Sequence, residues 1–171
     1  MSALTRAELL ALLAADPPLV EGAGDLAAQV QPNGIDLTLD QLWTLESAAS
    51  LGRDERQLPA RAAVPFDAEG WATLAPGPYL VRFAEIVRLP RDLFALGRPR
   101  STLARCGVGL VLAVWDAGYV GRSEALLVVH ARRGFRLQRG ARLAQLVFFR
   151  TGGPTEAYAG AYQGEHLPPR E

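Results

Sequence analysis

Five side chains that can grip an oxyanion crowd into Gly97-Arg98-Pro99-Arg100-Ser101-Thr102-Leu103-Ala104-Arg105. Arg98, Arg100 and Arg105 carry guanidinium forks suited to bidentate phosphate contacts, and Ser101 and Thr102 add hydroxyls. Triphosphate binding needs such groups, together with backbone N–H, converging on one loop. A solvated charged turn with a helix cap at Ser101 would use the same residues. A second candidate is Val114-Trp115-Asp116-Ala117-Gly118-Tyr119-Val120-Gly121. A carboxylate at the tip of a strand turn, as Asp116 would be, can orient water for attack on a phosphoanhydride. That reaction also needs charge neutralisation, usually by a divalent cation. Asp and Gly equally suit a plain β-turn.

These residues must be held by something. Thr5 and Glu8 have capping-box spacing ahead of Leu9, Leu10, Leu12 and Leu13, which predicts a short helix over 5–15 stopped by Asp16-Pro17-Pro18. Beyond it Gly and Pro recur between short apolar or alternating runs. Strands are expected at 35–45, 79–89, 93–96, 108–115, 124–130, 135–137 and 143–150. Many short strands with turn signals imply a mainly β sandwich or barrel-like fold. Asp36 falls inside the alternating run Ile35–Asp40, and Gln145 inside the last strand. Residues 46–70, Ala-rich and charged with weak periodicity, read as an irregular, mobile insert. The segment 151–171, with Tyr158, Tyr162 and Gln163, reads as a disordered tail or as one that closes over something.

Composition narrows the chemistry. A chain of 171 residues fits one domain, 1–171, with a real core. Net charge is zero, so a broad basic nucleic-acid footprint is not expected. One cysteine, Cys106, forbids an intrachain disulfide and suggests reducing cytoplasm. It reads as a small buried hydrophobe. With only His130 and His166 beside it, no structural zinc site can form. No secretory signal and no apolar run of membrane-spanning length are seen.

Four segments, in order, resemble the motifs of the dUTPase and dCTP deaminase superfamily. Pro32-Asn33-Gly34-Ile35-Asp36-Leu37 resembles the first, and the Arg100-Ser101 loop the second. The Asp116 to Gly121 stretch resembles the third, and Gly140-Ala141-Arg142-Leu143-Ala144-Gln145-Leu146 the fourth. The resemblance covers roughly residues 30–165. It implies a β-clip or distorted barrel, a homotrimer with shared active sites, and a nucleotide substrate with Mg2+. It also implies roles: Arg100, Ser101 and Gln145 on the phosphates, with Thr102 and Arg105 beside them. Asp116 would orient the water and bind the sugar 3′-hydroxyl. Tyr119 would lie against the deoxyribose and leave no room for a 2′-hydroxyl. Asp36 would approach the metal through water. Tyr158-Ala159-Gly160-Ala161-Tyr162-Gln163-Gly164 is similar to the closing segment of the deaminase branch.

The same family contains two reactions. Zinc-free dCTP deamination relies on a Glu proton shuttle ten residues after the third-motif Asp. Here that position is Leu126, which transfers no proton. Glu124 lies on the same strand face but is displaced by roughly 6–7 Å. The reading is therefore a dUTP diphosphatase, giving dUMP and pyrophosphate, on the deaminase-like branch. A dCTP deaminase or bifunctional enzyme is the alternative on the same fold. A non-catalytic nucleotide-binding protein is the alternative of another class.

Overall fold

The computed structural model describes residues 2–167. Residues 1 and 168–171, the last of these belonging to the expected tail, lie outside the described residues. The helix runs over Arg6–Leu13, with the capping box formed: the Glu8 N–H donates to Thr5 Oγ1 at 3.3 Å, and the Thr5 N–H to Glu8 Oε2 at 2.9 Å. Leu9 is buried and Leu12 and Leu13 pack against the core, whereas Leu10 is exposed. The i, i+3, i+4 spacing explains this, because Leu10 turns off the face that the other three share.

A curled antiparallel sheet carries the rest. Its main path is Val108–Val111, Glu124–Val129, Gly77–Phe83, Gly34–Leu45, Arg142–Arg150, Leu93–Pro99 and Val114–Trp115. The strand Gly34–Leu45 is long because it serves two partners. Its first half pairs with Arg142–Arg150, through Asp36 opposite Gln145, and its second half with Gly77–Phe83, through Leu42 opposite Val81. Register shifts between Leu39 and Gln41, and between Arg142 and Ala144, bend the sheet where it changes partner. Ile35, Leu37, Leu39, Phe83, Leu146 and Phe148 fill the inside of the curl. Gly34 has φ +146°, and a Cβ there would overlap the Leu146 carbonyl oxygen, so only glycine lets the two backbones meet beside Asp36.

Three departures from the pattern reading matter for the site. Ser101–Arg105 is a short helix whose N-cap is Arg100, without a side-chain cap bond, so Ser101 is its first residue and not its cap. The stretch 46–70 carries the short strands Ser50–Leu51, Arg56–Gln57 and Arg61–Ala63, the last paired with Trp43–Leu45. Trp71–Leu74 pairs with Phe135–Gln138, a strand that the sequence pattern did not reveal because its four residues are too few to establish a period.

Candidate active site

The first, second and fourth motifs meet at one level of the sheet. Asp36 lies opposite Gln145, and Gln145 opposite Arg98, so three strands present these residues side by side. The chain then turns, with the Arg100 N–H donating to the Leu143 carbonyl at 2.9 Å. Asp36 is wholly buried. Its Oδ2 accepts from the Arg100 Nη1 and, at 3.3 Å, from the Arg142 Nη1. Two guanidiniums on one carboxylate leave this cluster with a net positive charge. Burial, and then the Arg142 charge, lower the proton affinity of Arg100 from its ordinary value. Ser101, Thr102 and Arg105 are exposed beside it, and Gln145 is half-buried.

Beneath this corner lies a buried polar knot. Glu85 is wholly buried, and its carboxylate accepts from the Thr38 N–H at 2.9 Å, the Thr38 hydroxyl at 2.7 Å and the Gln29 side chain at 2.7 Å. The same Gln29 amide donates to the Asp36 carbonyl at 2.9 Å. Glu85 thus anchors the strand that carries Asp36. Desolvation outweighs these hydrogen bonds and raises its pKa.

The third motif builds a cavity of about 980 Å³. Asp116 stands exposed at its rim, Tyr119 and Trp115 form a wall, and Leu80, Leu126 and Val111 supply apolar surface. The Tyr119 N–H donates to the Asp116 carbonyl at 3.1 Å, closing the turn, and Gly118 takes φ +81° within it. The Trp115 indole donates to Ser123 Oγ at 2.9 Å and fixes the hairpin's two arms together.

The C-terminal segment docks on this hairpin. The Tyr158 N–H donates to the Ala117 carbonyl at 2.8 Å and the Gly164 N–H to the Val120 carbonyl at 2.8 Å. Gln163 uses its whole amide: Oε1 accepts from the Val120 N–H and Nε2 donates to the Gly118 carbonyl, both at 2.9 Å. Tyr158 and Tyr162 both line the cavity. Glu165 accepts from the Tyr119 hydroxyl at 2.8 Å, and the His166 imidazole lies 2.9 Å from Glu124 Oε1. From the other side Arg61 donates to the same Glu124 oxygen at 2.7 Å.

The expected site residues thus fall into two groups within one chain. Asp116, Tyr119, Tyr158 and Tyr162 share the cavity, with Gln163 behind it holding the segment down. Arg100, Ser101, Thr102, Arg105 and Gln145 do not line that cavity. Pattern reading passed over Arg61, Arg142, Glu85 and Glu165. Arg142 stood inside the fourth motif, and Glu165 followed directly on Gln163-Gly164. Arg61 and Glu85 left no local signal, since their partners lie 63 and 47 residues away. Cys106, expected inside, is exposed, because it caps a short surface helix.

The arrangement around Asp36 does not suit a metal. A buried carboxylate already facing two guanidiniums opposes a cation, although its Oδ1 has no hydrogen-bond partner within the described residues. Among the described residues no three His, Cys, Asp or Glu side chains gather around a common point. Among them, too, no helix is long and apolar enough to cross a membrane.

Comparison with known proteins gives the family. The model of the dCTP deaminase-like family matches residues 3–151. A protein of Methanosarcina barkeri (strain Fusaro / DSM 804), named a probable deoxyuridine 5′-triphosphate nucleotidohydrolase, is 47% identical over 169 residues, covering 97% of this chain and 99% of its own. A protein of the same name from Methanococcoides burtonii is 45% identical over 170 residues, covering 98% of this chain and all of its own. The crystal structure of 2′-deoxycytidine 5′-triphosphate deaminase from Agrobacterium tumefaciens superposes with a TM-score of 0.68 at 24% identity, over 85% of this chain and 47% of that one; it shares the fold. With the family model spanning most of its length, the chain belongs to the dCTP deaminase-like family.

Proposed function

We propose that the protein hydrolyses dUTP to dUMP and pyrophosphate. One observation carries the choice between the two family reactions. Leu126 forms the cavity wall where deamination needs a proton shuttle, and the nearby Glu124 carboxylate is engaged by Arg61 and His166. The names of the similar proteins of Methanosarcina barkeri and Methanococcoides burtonii support the same choice. Water attacks the α-phosphorus, the bridging P–O bond to the β-phosphate breaks, and pyrophosphate leaves. Asp116 accepts a hydrogen bond from that water and holds it in line. Tyr119 lies against the deoxyribose, and the C-terminal segment excludes solvent. Arg100, Ser101 and Gln145, with Thr102 and Arg105 beside them, take the phosphates on the positively charged cluster. Magnesium, when bound with the nucleotide, would supply charge neutralisation on the phosphates. Asp36 serves to orient Arg100 and Arg142.

The separation of the two groups of residues supports a homotrimer in which one subunit's phosphate cluster faces another's cavity. We assign the whole chain, 1–171, to one domain in a reducing cytoplasm, with no nucleic-acid or membrane partner. The test is incubation of the purified protein with dUTP, dCTP, dTTP and UTP plus magnesium, with chromatography of the products. dUMP and pyrophosphate from dUTP alone support the proposal. Release of uracil nucleotide from dCTP would overturn it in favour of a deaminase or bifunctional enzyme. Binding without turnover would overturn it in favour of a non-catalytic nucleotide-binding protein.

A further inference from the structure

Tyr119 is held unusually tightly for a residue at a cavity wall. It is 5% exposed. Tyr158 packs edge-on against its ring, with centroids 5.9 Å apart. On another side stands Gly121, where a Cβ would lie 2.7 Å from the Tyr119 hydroxyl and 3.0 Å from Cζ. The hydroxyl itself donates to Glu165 Oε1 at 2.8 Å. Glu165 is pinned in turn, because its carbonyl accepts from the Arg122 N–H at 3.0 Å and the preceding Gly164 is tied to Val120. The sequence separation of 46 residues means that this acceptor exists only when the C-terminal segment is docked.

We infer that Glu165 is a specificity-determining positioning residue: by accepting the Tyr119 hydroxyl it fixes the ring that meets the sugar, and so makes deoxyribose selection depend on the docked C-terminal segment. The inference rests on the reading that Tyr119 faces the sugar. Rejection of a 2′-hydroxyl by shape requires a wall that does not yield. A buried phenol without its acceptor loses a hydrogen bond and gains freedom to shift by the few tenths of an ångström that an extra oxygen needs. Burial raises the Tyr119 pKa from its ordinary value, so the phenol keeps the proton it donates.

The experiment measures binding, so that it does not depend on turnover. Calorimetric Kd values for dUDP and UDP, and for dCDP and CDP, are compared in the wild type, Glu165→Ala, Glu165→Gln, Tyr119→Phe and the double variant Tyr119→Phe/Glu165→Ala. A wild-type preference for the deoxy form of about 100-fold is expected of a shape-selective pocket. Glu165→Ala should lower that preference about tenfold, the loss of one hydrogen-bonded constraint. Glu165→Gln keeps an acceptor oxygen and should stay within about threefold of wild type. Tyr119→Phe should match Glu165→Ala, and the double variant should fall no further. If Glu165→Ala weakens deoxy and ribo forms equally, Glu165 merely seats the segment and the inference fails. A preference for cytidine nucleotides would sink the proposed uracil substrate while leaving the sugar ratio as the test of Glu165.

Discussion

Arg100 and Asp36, 64 residues apart in the chain, form an ion pair in which the carboxylate is wholly buried and the guanidinium keeps a side open. Arg142 shares the same oxygen. Removing the carboxylate leaves two neighbouring cations without their counter-charge. Asp36→Asn should destabilise the fold by about 3 kcal/mol, the lower end of the range for breaking a buried pair, since both guanidiniums reach water. Urea unfolding measures it. Were Asp36 a metal residue instead, raising magnesium would restore turnover in the variant. The ion-pair role predicts no such rescue.

Asp116 offers the opposite profile. It is exposed, and its side chain makes no hydrogen bond or ion pair among the described residues. Asp116→Asn should therefore change stability by less than about 0.5 kcal/mol. Turnover of dUTP should fall by about 100-fold or more, the usual contribution of a positioned acid–base group. A variant that unfolds like wild type and still turns over at the wild-type rate removes Asp116 from the mechanism.

The contrast between these two residues shows what sequence could reveal. Alternation placed Asp36 on a strand correctly, but nothing local announced its burial. The partner strand Arg142–Arg150 and the Arg100 turn bury it, and those contacts are long-range. Strand positions were legible because period-two patterning is local. The Ser101–Arg105 helix was not, since five residues are too few to show a helical period. The four motifs named the candidate residues, but their division into two groups depends on how the sheet curls. Glu165 and Arg61 act only through tertiary contacts.

Glu85 makes stability depend on pH. Desolvation raises its folded pKa above the value of 4.5 expected in the unfolded chain. The folded state then holds the proton more tightly than the unfolded state does. Its contribution is fully present below about pH 4.5 and is lost as pH rises through the raised folded value. Glu85→Gln removes the titration. The stability of wild type relative to this variant should decline from mildly acidic pH towards neutral and then level off. Denaturant midpoints measured at several pH values test this, and a difference that does not change with pH contradicts a raised pKa.

The C-terminal segment is tied to the third-motif hairpin by contacts that single substitutions remove. Gln163 supplies two hydrogen bonds to the third-motif hairpin, and Gly118 offers the close approach beneath it: a Cβ there would lie 2.6 Å from the Ala157 Cβ. Gly118 also has φ +81°, which costs a residue with a Cβ about 1–2 kcal/mol. Gln163→Ala should loosen the segment and Gly118→Ala should expel it. Limited proteolysis should then cut within 157–166 faster in that order, with the sheet intact by circular dichroism. Activity should fall in the same order, because the cavity loses Tyr158, Tyr162 and Glu165 together when the segment lifts. Equal cleavage in all three proteins would mean that these contacts do not hold the segment, and the closing role assigned to it would be lost.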